Sequence, residues 1–252
     1  MISFIKKFYP LPARRSVQYH NNVMNELKLI RKKLQNSDKA IKALESSFNI
    51  IKQRTGRHLP EMPYTVLSKK HINNVEVYLD RKELIHSFPK NGVVAEIGVA
   101  DGEHAQVIYD ISNPSKLHLI DNWISEQYGP CENETIKRFE KQIAKGRVII
   151  NKGMSVDILQ EFPDNYFDWV YIDTAHSYKV TSQELLICKS KVKHGGIISG
   201  HDYTMGNWNS NIKYGVIEAV YEFCVKFNWE IIALTMELNA ASFAMREIEL
   251  CQ

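Results

Sequence analysis

The stretch that decides the fold is Val93-Val-Ala-Glu-Ile-Gly-Val-Ala-Asp-Gly-Glu103. A short apolar segment, suited to a buried strand, runs into a turn that contains Gly98 and Gly102. Because glycine has no Cβ, the backbone of such a turn can pass close to a ligand. The spacing is G-x-x-x-G, which lacks the G-x-G-x-x-G fingerprint of dinucleotide-binding turns. The turn therefore predicts a cofactor other than a dinucleotide.

An acidic residue, Glu96, stands two positions before Gly98. A carboxylate at this point suits a cationic ligand or an amino group better than a phosphate. S-adenosylmethionine (SAM), which carries a sulfonium and an amino group, is such a ligand. We therefore expect Glu96, Gly98, Ala100 and Gly102 to line a SAM site.

From residue 92 onward, short apolar segments alternate with longer amphipathic ones. Alternation of this kind predicts an α/β fold, with a mostly parallel, Rossmann-like sheet covered by helices on both faces. Ligands of such sheets bind at the carboxyl ends of the strands. The predicted strands are 93–98, 116–121, 147–150, 167–172, 195–200, 230–234 and 241–246. The predicted helices are 103–112, 133–145, 155–161, 178–191 and 213–228.

The second and third predicted strands also end in polar residues. The second ends in Asp121-Asn122-Trp123, where the carboxylate can accept the ribose hydroxyls and the indole can stack on adenine. The third leads to Met154 and Ser155, with Ser155 predicted as a helix cap whose loop faces the adenine edge. Taken singly, Asp121 or Ser155 is equally explained as a helix cap. Together with the glycine turn, these five residues predict the rest of the cofactor site.

Residues 92–246 resemble class I SAM-dependent methyltransferases. This resemblance implies the usual seven-stranded sheet that ends in an antiparallel hairpin. Two runs, Phe167-Asp-Trp-Val-Tyr-Ile-Asp-Thr-Ala-His-Ser-Tyr178 and His194-Gly-Gly-Ile-Ile-Ser-Gly-His-Asp-Tyr203, resemble the branch of bacterial sugar and macrolide-sugar O-methyltransferases. They are similar, more distantly, to catechol-type O-methyltransferases. The resemblance implies methyl transfer from SAM to a sugar hydroxyl, including that of a nucleotide sugar, in capsule polysaccharide or natural-product biosynthesis.

Two acids follow neighbouring predicted strands, Asp173 after the fourth and Asp202 after the fifth. Neighbouring parallel strand ends bring their carboxylates together, and unpaired carboxylates repel each other. A divalent cation such as Mg²⁺ would relieve that repulsion and would hold a hydroxyl oxygen. The resemblance places metal-binding acids at both positions, but His201 stands where a neighbouring carboxylate or amide is usual, and it suits a softer ion. Asp173, His201 and Asp202 are the predicted metal ligands, and Asp173 is also predicted to contact cofactor and acceptor.

His176 follows Asp173 by three residues, where the catechol-type relatives carry a general base. Methyl transfer to a hydroxyl requires removal of its proton, and histidine suits that task near neutral pH. We expect His176 to be the base, while for His201 the choice between ligand and base stays open. The alternative for His176 is a local hydrogen bond at the start of a helix.

The segment Tyr203-Thr-Met-Gly-Asn-Trp-Asn-Ser-Asn-Ile-Lys-Tyr214 is polar and aromatic. Asparagine, tryptophan and tyrosine side chains suit a polyhydroxylated acceptor, through hydrogen bonds and ring stacking. The segment predicts an acceptor-binding loop, with an ordinary surface loop as the alternative.

The N-terminal quarter of the chain has a different pattern. Apolar residues recur every three or four positions over residues 17–55, which predicts one long helix with a heptad seam. The stripe is narrow, so the helix needs a partner, either a second copy in a coiled coil or the protein's own globular body. We expect residues 1–56 to be a helical oligomerisation segment that forms a homo-oligomer. Residues 57–91 are expected to be a linker with cover elements, and residues 92–252 the catalytic domain.

Composition excludes several other classes. The 252 residues carry a net charge of only +3, so nucleic acid is not an expected partner. The four cysteines form no C-x-x-C pair, which argues for a reduced, cytoplasmic protein without a zinc knuckle. No apolar run is long enough for an integral membrane segment, and the first residues do not have the pattern of a secretory signal.

Three readings besides the sugar O-methyltransferase stay open. SAM-dependent transfer to an amine, or to a small catechol-like molecule, uses the same cofactor site. A coiled-coil assembly protein that only binds SAM is the non-enzyme alternative. A nicotinamide-dependent dehydrogenase is disfavoured by the glycine spacing.

Overall fold

The computed structural model describes residues 23–26, 62–126, 128–207, 212–238 and 240–248. The chain divides into two compact units, residues 1–60 and 61–252. In the first unit residues 23–26 are helical, and the rest of the predicted heptad helix lies outside the described residues. The coiled coil and the homo-oligomer therefore stay predictions. Among the described residues, no helix is long and apolar enough to cross a membrane.

The second unit is built around an eight-stranded sheet. Its strands are β1 (Glu76–Tyr78), β2 (Val93–Ile97), β3 (Lys116–Asp121), β4 (Val148–Lys152), β5 (Phe167–Ile172), β6 (Val192–Gly200), β9 (Trp229–Thr235) and β10 (Phe243–Glu247). Their order in the sheet is β1-β9-β10-β6-β5-β2-β3-β4. Strand β10 runs antiparallel to both of its neighbours, and all other neighbouring strands are parallel. A separate hairpin is formed by β7 (Gly206–Asn207) and β8 (Ile212–Lys213).

The expected seven strands are present, but the prediction of seven was wrong, because β1 adds an eighth. It comes from the segment predicted to be a linker with cover elements and pairs in parallel with β9, Tyr78 opposite Thr235. An edge strand such as β9 exposes unpaired N–H and C=O groups, and β1 satisfies them. Three residues are too few to show a strand period in the sequence.

Helices cover both faces of the sheet. They are α1 (Arg81–Ser87), α2 (Glu103–Ser112), α3 (Cys131–Arg138), α4 (Glu140–Ala144), α5 (Ser155–Glu161), α6 (Tyr178–Lys191) and α7 (Val216–Phe227), with a 3-10 turn at Lys69–His71. Asparagines in the left-handed conformation end α2 and α7, at Asn113 (φ 45°) and Asn228 (φ 59°), which is a common way for a helix to end. The single helix predicted over 133–145 is divided into α3 and α4 at the buried Phe139.

The side chains of alternate strand residues pack into two separate cores, one on each face of the sheet, as a sheet covered on both faces requires. On one face Ala95 and Ile97 pack with Leu185 of α6. On the other face Val94 packs with residues of α1 and α2, including Ile108. The strands are therefore held rigidly, and so are the residues that follow their carboxyl ends.

The parallel register brings four strand ends to one edge. Ile97 at the end of β2 lies opposite Ile120 of β3 and Ile172 of β5. Ile172 in turn lies opposite Gly200, the last residue of β6. The loops that begin at Gly98, Asp121, Asp173 and His201 must therefore meet at this edge, as the sequence predicts.

Candidate active site

The glycine turn after β2 packs against the backbone of the loop after β5. Gly98 has φ +87°, and a Cβ built there would lie 2.0 Å from the carbonyl oxygen of Asp173. The N–H of Asp173 donates to the carbonyl oxygen of Ile97 at 2.7 Å. Since no side chain fits between the two segments, only glycine allows the turn and Asp173 to approach so closely.

Asp121 holds the glycine turn through its carboxylate. One oxygen accepts from the N–H groups of Val99 (2.8 Å) and Ala100 (3.1 Å), and the other from that of Trp123 (2.9 Å). A carboxylate offers about four acceptor positions, so these bonds leave capacity for a hydroxyl. The predicted contact of Asp121 with ribose stays a prediction, beside a structural role that the sequence did not reveal.

Trp123 and Met154 occupy different environments. Trp123 is 3% exposed, and its indole N–H donates to the carbonyl oxygen of Ala100 at 2.8 Å, so its ring lies beneath the turn. Met154 is 49% exposed, and the side-chain amide of Asn122 donates to its sulfur at 3.3 Å. Adenine stacking on Trp123 stays a prediction, while Met154 presents an open apolar surface beside Asn122.

Ser155 is not the cap of α5. The cap position is Met154, which makes no side-chain capping bond. The Ser155 hydroxyl donates instead to Glu184 Oε1 at 2.5 Å, and the Thr174 hydroxyl donates to Glu184 Oε2 at 2.8 Å. The loop after β4 and the loop after β5 are therefore linked through one buried carboxylate on α6. Burial raises the pKa of Glu184 to about 7, against the opposing effect of the two hydroxyl bonds.

Glu96 and His104 form a buried pair beneath the turn. Glu96 Oε1 lies 2.9 Å from His104 Nδ1, and the imidazole ring lies 4.4 Å from the ring of Tyr171. Burial, reinforced by the charge of Asp173, raises the pKa of Glu96 well above its ordinary value. Burial lowers the pKa of His104 to about 3. The sequence predicted Glu96 but not its partner.

The predicted catalytic and metal-binding side chains converge at the ends of β5 and β6. Asp202 Oδ2 lies 3.1 Å from His176 Nδ1 and 3.4 Å from His201 Nδ1. His201 Nδ1 lies 3.7 Å from Asp173 Oδ2. His176 and Asp202 both have a left-handed backbone, with φ of 52° and 54°. Such strain is found where the surrounding structure fixes a functional side chain.

The charges of this cluster act on one another. Burial favours the neutral forms, and for Asp173 it dominates, so its pKa is raised. For Asp202, the hydrogen bond to His201 and the nearby His176 outweigh burial and lower the pKa. For His201, burial lowers the pKa, but the hydrogen bond to Asp202 and the charge of Asp173 outweigh burial, so the pKa is raised. The pKa values of Asp202 and His201 are therefore shifted in the directions that favour an ion pair between these two groups.

The same cluster offers a donor set for a divalent cation. One ligand atom each from Asp173, His201 and Asp202 lie within 4.8 Å of one another. Ligands at about 2.0–2.6 Å from a shared ion are separated by distances of this size. Two carboxylates and an imidazole suit Mn²⁺ or Zn²⁺ as well as Mg²⁺. The residues therefore fit a metal ion.

Two charged residues that the sequence did not single out border the cluster. Arg81, the first residue of α1, has its Nη1 3.9 Å from Asp173 Oδ2 and its Nε 4.0 Å from Glu237 Oε1. Glu237 accepts hydrogen bonds from the hydroxyls of Thr235 (2.7 Å) and Ser242 (3.3 Å). Arg81 comes from the segment predicted to contain a cover, and no local motif marks it as a site residue.

The predicted acceptor loop contains the β7–β8 hairpin, so its described part is not irregular. After it, the ring of Tyr214 lies 4.9 Å from the ring of His176. Residues 208–211, including Trp208, lie outside the described residues. The loop therefore contributes an aromatic ring directly beside the predicted base.

Residues 95–203 match the model of a family described as a methyltransferase domain. The match extends from β2 to the residue after Asp202, and so includes the glycine turn and both acids. No curated protein matches the sequence.

Solved structures of low identity share the fold. A candidate rRNA methylase from Clostridium thermocellum is 16% identical, with a TM-score of 0.52 over 68% of this chain and 95% of that one. A SAM-dependent methyltransferase from Aquifex aeolicus is 13% identical, with a TM-score of 0.50 over 66% and 89%. The pyocyanin biosynthetic protein PhzM is 13% identical, with a TM-score of 0.52 over 68% of this chain but 55% of its own.

At identities of 13–16%, the solved structures show that the fold is shared. The activity is indicated by the matched family model instead. The order of the sheet, the glycine turn at its centre and the acids at the neighbouring strand ends agree with both. The chain therefore contains a methyltransferase domain, at residues 95–203, and has the Rossmann-like fold of SAM-dependent methyltransferases.

Proposed function

We propose that the enzyme transfers the methyl group of SAM to a hydroxyl of a sugar or nucleotide sugar. The observation that carries the proposal is the contact of Asp202 with both His176 and His201, next to Asp173 and the glycine turn. A hydroxyl acceptor needs a base, whereas a free amine does not. A histidine held by a carboxylate is such a base.

His176 is proposed to remove the acceptor proton. Its Nδ1 lies 3.1 Å from Asp202 Oδ2, and Nε2 has no hydrogen-bond partner among the described residues. With Nδ1–H donating to Asp202, Nε2 is left as an acceptor, as in other bases oriented by a carboxylate. The Tyr214 ring beside the imidazole limits its rotation. The proton of the acceptor hydroxyl would pass to Nε2.

Asp173, His201 and Asp202 are proposed to hold a divalent cation, Mg²⁺ or a softer ion. A bound cation would hold the acceptor oxygen and favour its deprotonated form. His201 serves as a ligand in this arrangement, and the base role then falls to His176. Without a cation, His201 is a second candidate for the base.

SAM would supply the methyl group to the acceptor oxygen, and the chain's part is positioning. Gly98, Ala100 and Gly102 form the turn that gives the ligand access to the backbone, while Asp121 fixes it. Asn122, Trp123, Met154 and Ser155 are proposed for the adenine side, with Glu96 and Asp173 on the side of the amino acid and the sulfonium.

The acceptor class is proposed from the resemblance to sugar O-methyltransferases and from the polar, aromatic segment 203–214. We propose cytoplasmic capsule or natural-product biosynthesis as the setting, residues 1–56 as the homo-oligomerisation segment and residues 57–91 as linker and cover. An amine or a catechol-like acceptor is the alternative for the same cofactor site, and a SAM-binding assembly protein is the non-enzyme alternative.

The test is a screen of sugars and nucleotide sugars with SAM, with and without EDTA, read out by mass spectrometry. We expect a methylated sugar whose formation EDTA suppresses. Asp202→Ala should abolish transfer while SAM affinity stays within a few-fold. Asp164→Ala, at an exposed carboxylate paired with Lys191, is the matched control and should remain active. A fully active Asp202→Ala enzyme, or products methylated only on amines, would contradict the proposal.

A further inference from the structure

Arg81 lies between two carboxylates but forms a hydrogen bond with neither of them. Its Nη1 lies 3.9 Å from Asp173 Oδ2 and its Nε lies 4.0 Å from Glu237 Oε1, and both distances exceed those of N–H···O hydrogen bonds. A guanidinium carries five N–H donors in a planar fork. No described residue accepts a hydrogen bond from the Arg81 side chain, so its donors are available to a ligand.

The backbone of Arg81 is fixed, although its side chain is not hydrogen-bonded. Helix α1 begins at Arg81. The Asp80 carboxylate caps the helix by accepting from the N–H groups of Lys82 and Glu83, each at 2.9 Å. Leu84 of the same helix is fully buried in the core on one face of the sheet. A side chain that extends from a fixed backbone loses less conformational freedom on binding, so Arg81 is well placed to hold a ligand.

The Arg81 guanidinium is open to solvent at the rim of the site. Its side chain is 35% exposed. The segments on either side of it are joined by a backbone bond, because the N–H of Met236 donates to the carbonyl oxygen of Tyr78 at 2.9 Å. Met236 and Leu79, which follow these two positions in the bond, both have exposed side chains. A ligand can therefore reach Arg81 from solvent at this rim.

The surroundings of Arg81 are acidic, and they adjoin the proposed site of methyl transfer. Asp173 Oδ2, which faces Arg81, also lies 3.7 Å from His201 Nδ1. Among the described residues, no other lysine or arginine pairs with Asp173, Asp202 or Glu237. Carboxylates repel an anionic ligand unless a cation meets it. Because a guanidinium is always charged, Arg81 is the group that can hold an anion at this point.

We propose that Arg81 binds an anionic group of the acceptor, a phosphate or a carboxylate, and so selects acidic sugars over neutral ones. This inference rests on the proposed function and names the class of sugar that it leaves open. The phosphate of a nucleotide sugar and the carboxylate of a uronic acid both present paired oxygens that match the guanidinium fork. A sugar held by its acidic group at Arg81 would have its hydroxyls beside the ends of β5 and β6, where methyl transfer is proposed.

The experiment is calorimetric titration of glucose, glucuronate and UDP-glucose into the full chain saturated with S-adenosylhomocysteine. We expect the wild type to bind at least one of the two acids more tightly than glucose, and the acid that it prefers identifies the group as carboxylate or phosphate. Arg81→Gln should lower the affinity for that acid at least tenfold, the effect of one lost charge-assisted hydrogen bond. Arg81→Lys, which keeps the charge but not the planar fork, should lose less.

Two controls separate an anion site from a general effect of charge or folding. Lys82→Gln removes a positive charge from the next residue of α1, whose side chain is exposed, and should leave every affinity within about twofold. The affinity of Arg81→Gln for S-adenosylhomocysteine should stay within about threefold of the wild type, because the proposal concerns the acceptor. Equal losses for glucose and the acids, an equal loss in Lys82→Gln, or a tenfold loss of S-adenosylhomocysteine affinity would overturn the anion site.

The failure of this inference is distinguishable from the failure of the proposed function. If the wild type methylates neutral sugars and binds neither acid more tightly than glucose, the anion site is refuted and the proposed function stands. If the acids bind in an Arg81-dependent manner but no sugar is methylated, the proposed function is refuted and the anion site stands.

Discussion

Glu184→Gln is expected to raise stability above neutral pH and, at the same time, to slow methyl transfer. Glu184 is fully buried on α6 and holds the hydroxyls of Ser155 and Thr174. Burial of its charged form therefore lowers the free energy of unfolding, whereas its two carboxylate oxygens hold two loops of the site in place. Glutamine removes the charge and keeps nearly the same shape, so it separates these two effects.

The magnitude follows from the pKa. Burial raises the pKa of Glu184 from 4.5 to about 7, and each tenfold change in proton affinity corresponds to about 1.4 kcal/mol. The folded state therefore binds this proton more tightly than the unfolded state, by about 3 kcal/mol. The contribution is fully present below pH 4.5, is lost as pH rises through 7, and stays absent above that.

The assay is urea unfolding of the wild type and of Glu184→Gln at pH 5 and pH 8. Relative to the wild type, the variant should gain about 2–3 kcal/mol in free energy of unfolding between the two pH values. Glu161→Gln, at an exposed glutamate on α5, is the control and should follow the wild type. An identical pH dependence in Glu184→Gln and the wild type would refute the reasoning.

The functional half of the prediction concerns the two loops that Glu184 joins. The single amide oxygen of glutamine cannot replace two carboxylate oxygens that accept from Ser155 and Thr174 separately. One loop is released, so kcat should fall several-fold even though the protein at pH 8 is more stable. A variant that is both more stable and equally active would show that the link does not position the site.

Three further changes have defined outcomes. Gly98→Ala should lower the melting temperature and abolish binding of S-adenosylhomocysteine, because its Cβ would lie 2.0 Å from the Asp173 carbonyl oxygen; wild-type affinity in a calorimetric titration would contradict this. Asp121→Asn should cost about 1–3 kcal/mol in chemical unfolding, since an amide nitrogen cannot accept the N–H bonds of the turn; an unchanged midpoint would argue against Asp121 as its anchor. Deletion of residues 1–55 should lower the oligomer mass found by light scattering by more than the deleted residues account for, and an unchanged number of subunits would remove the coiled-coil proposal.

The features that the sequence predicted well are local or follow from parallel topology. The turn at Gly98 can be read from a strand-like segment followed by glycines. The meeting of Asp173, His201 and Asp202 follows from the rule that neighbouring parallel strands end at one edge. Neither inference requires knowledge of side-chain packing.

The features that were missed depend on contacts between distant segments. Strand β1 exists because β9 offers an open edge, not because Glu76–Tyr78 has a strand period. The partner of Ser155 depends on the rotation of α6, which turns Glu184 inward although the helix has no marked apolar face there. Trp123 turns beneath the glycine turn through a left-handed backbone, φ 46°, which the sequence does not signal.

The ligand edge concentrates features that lower stability. His176 and Asp202 have left-handed backbones, Glu184 is a buried carboxyl, and Glu96 retains an unsatisfied buried oxygen. Each costs on the order of 1–3 kcal/mol and persists only when well-packed surroundings compensate for it. The two cores on either side of the sheet provide that packing. Binding of a ligand at this edge would offset part of this cost, so saturating S-adenosylhomocysteine should raise the melting temperature, and an unchanged melting temperature would argue against a cofactor site here.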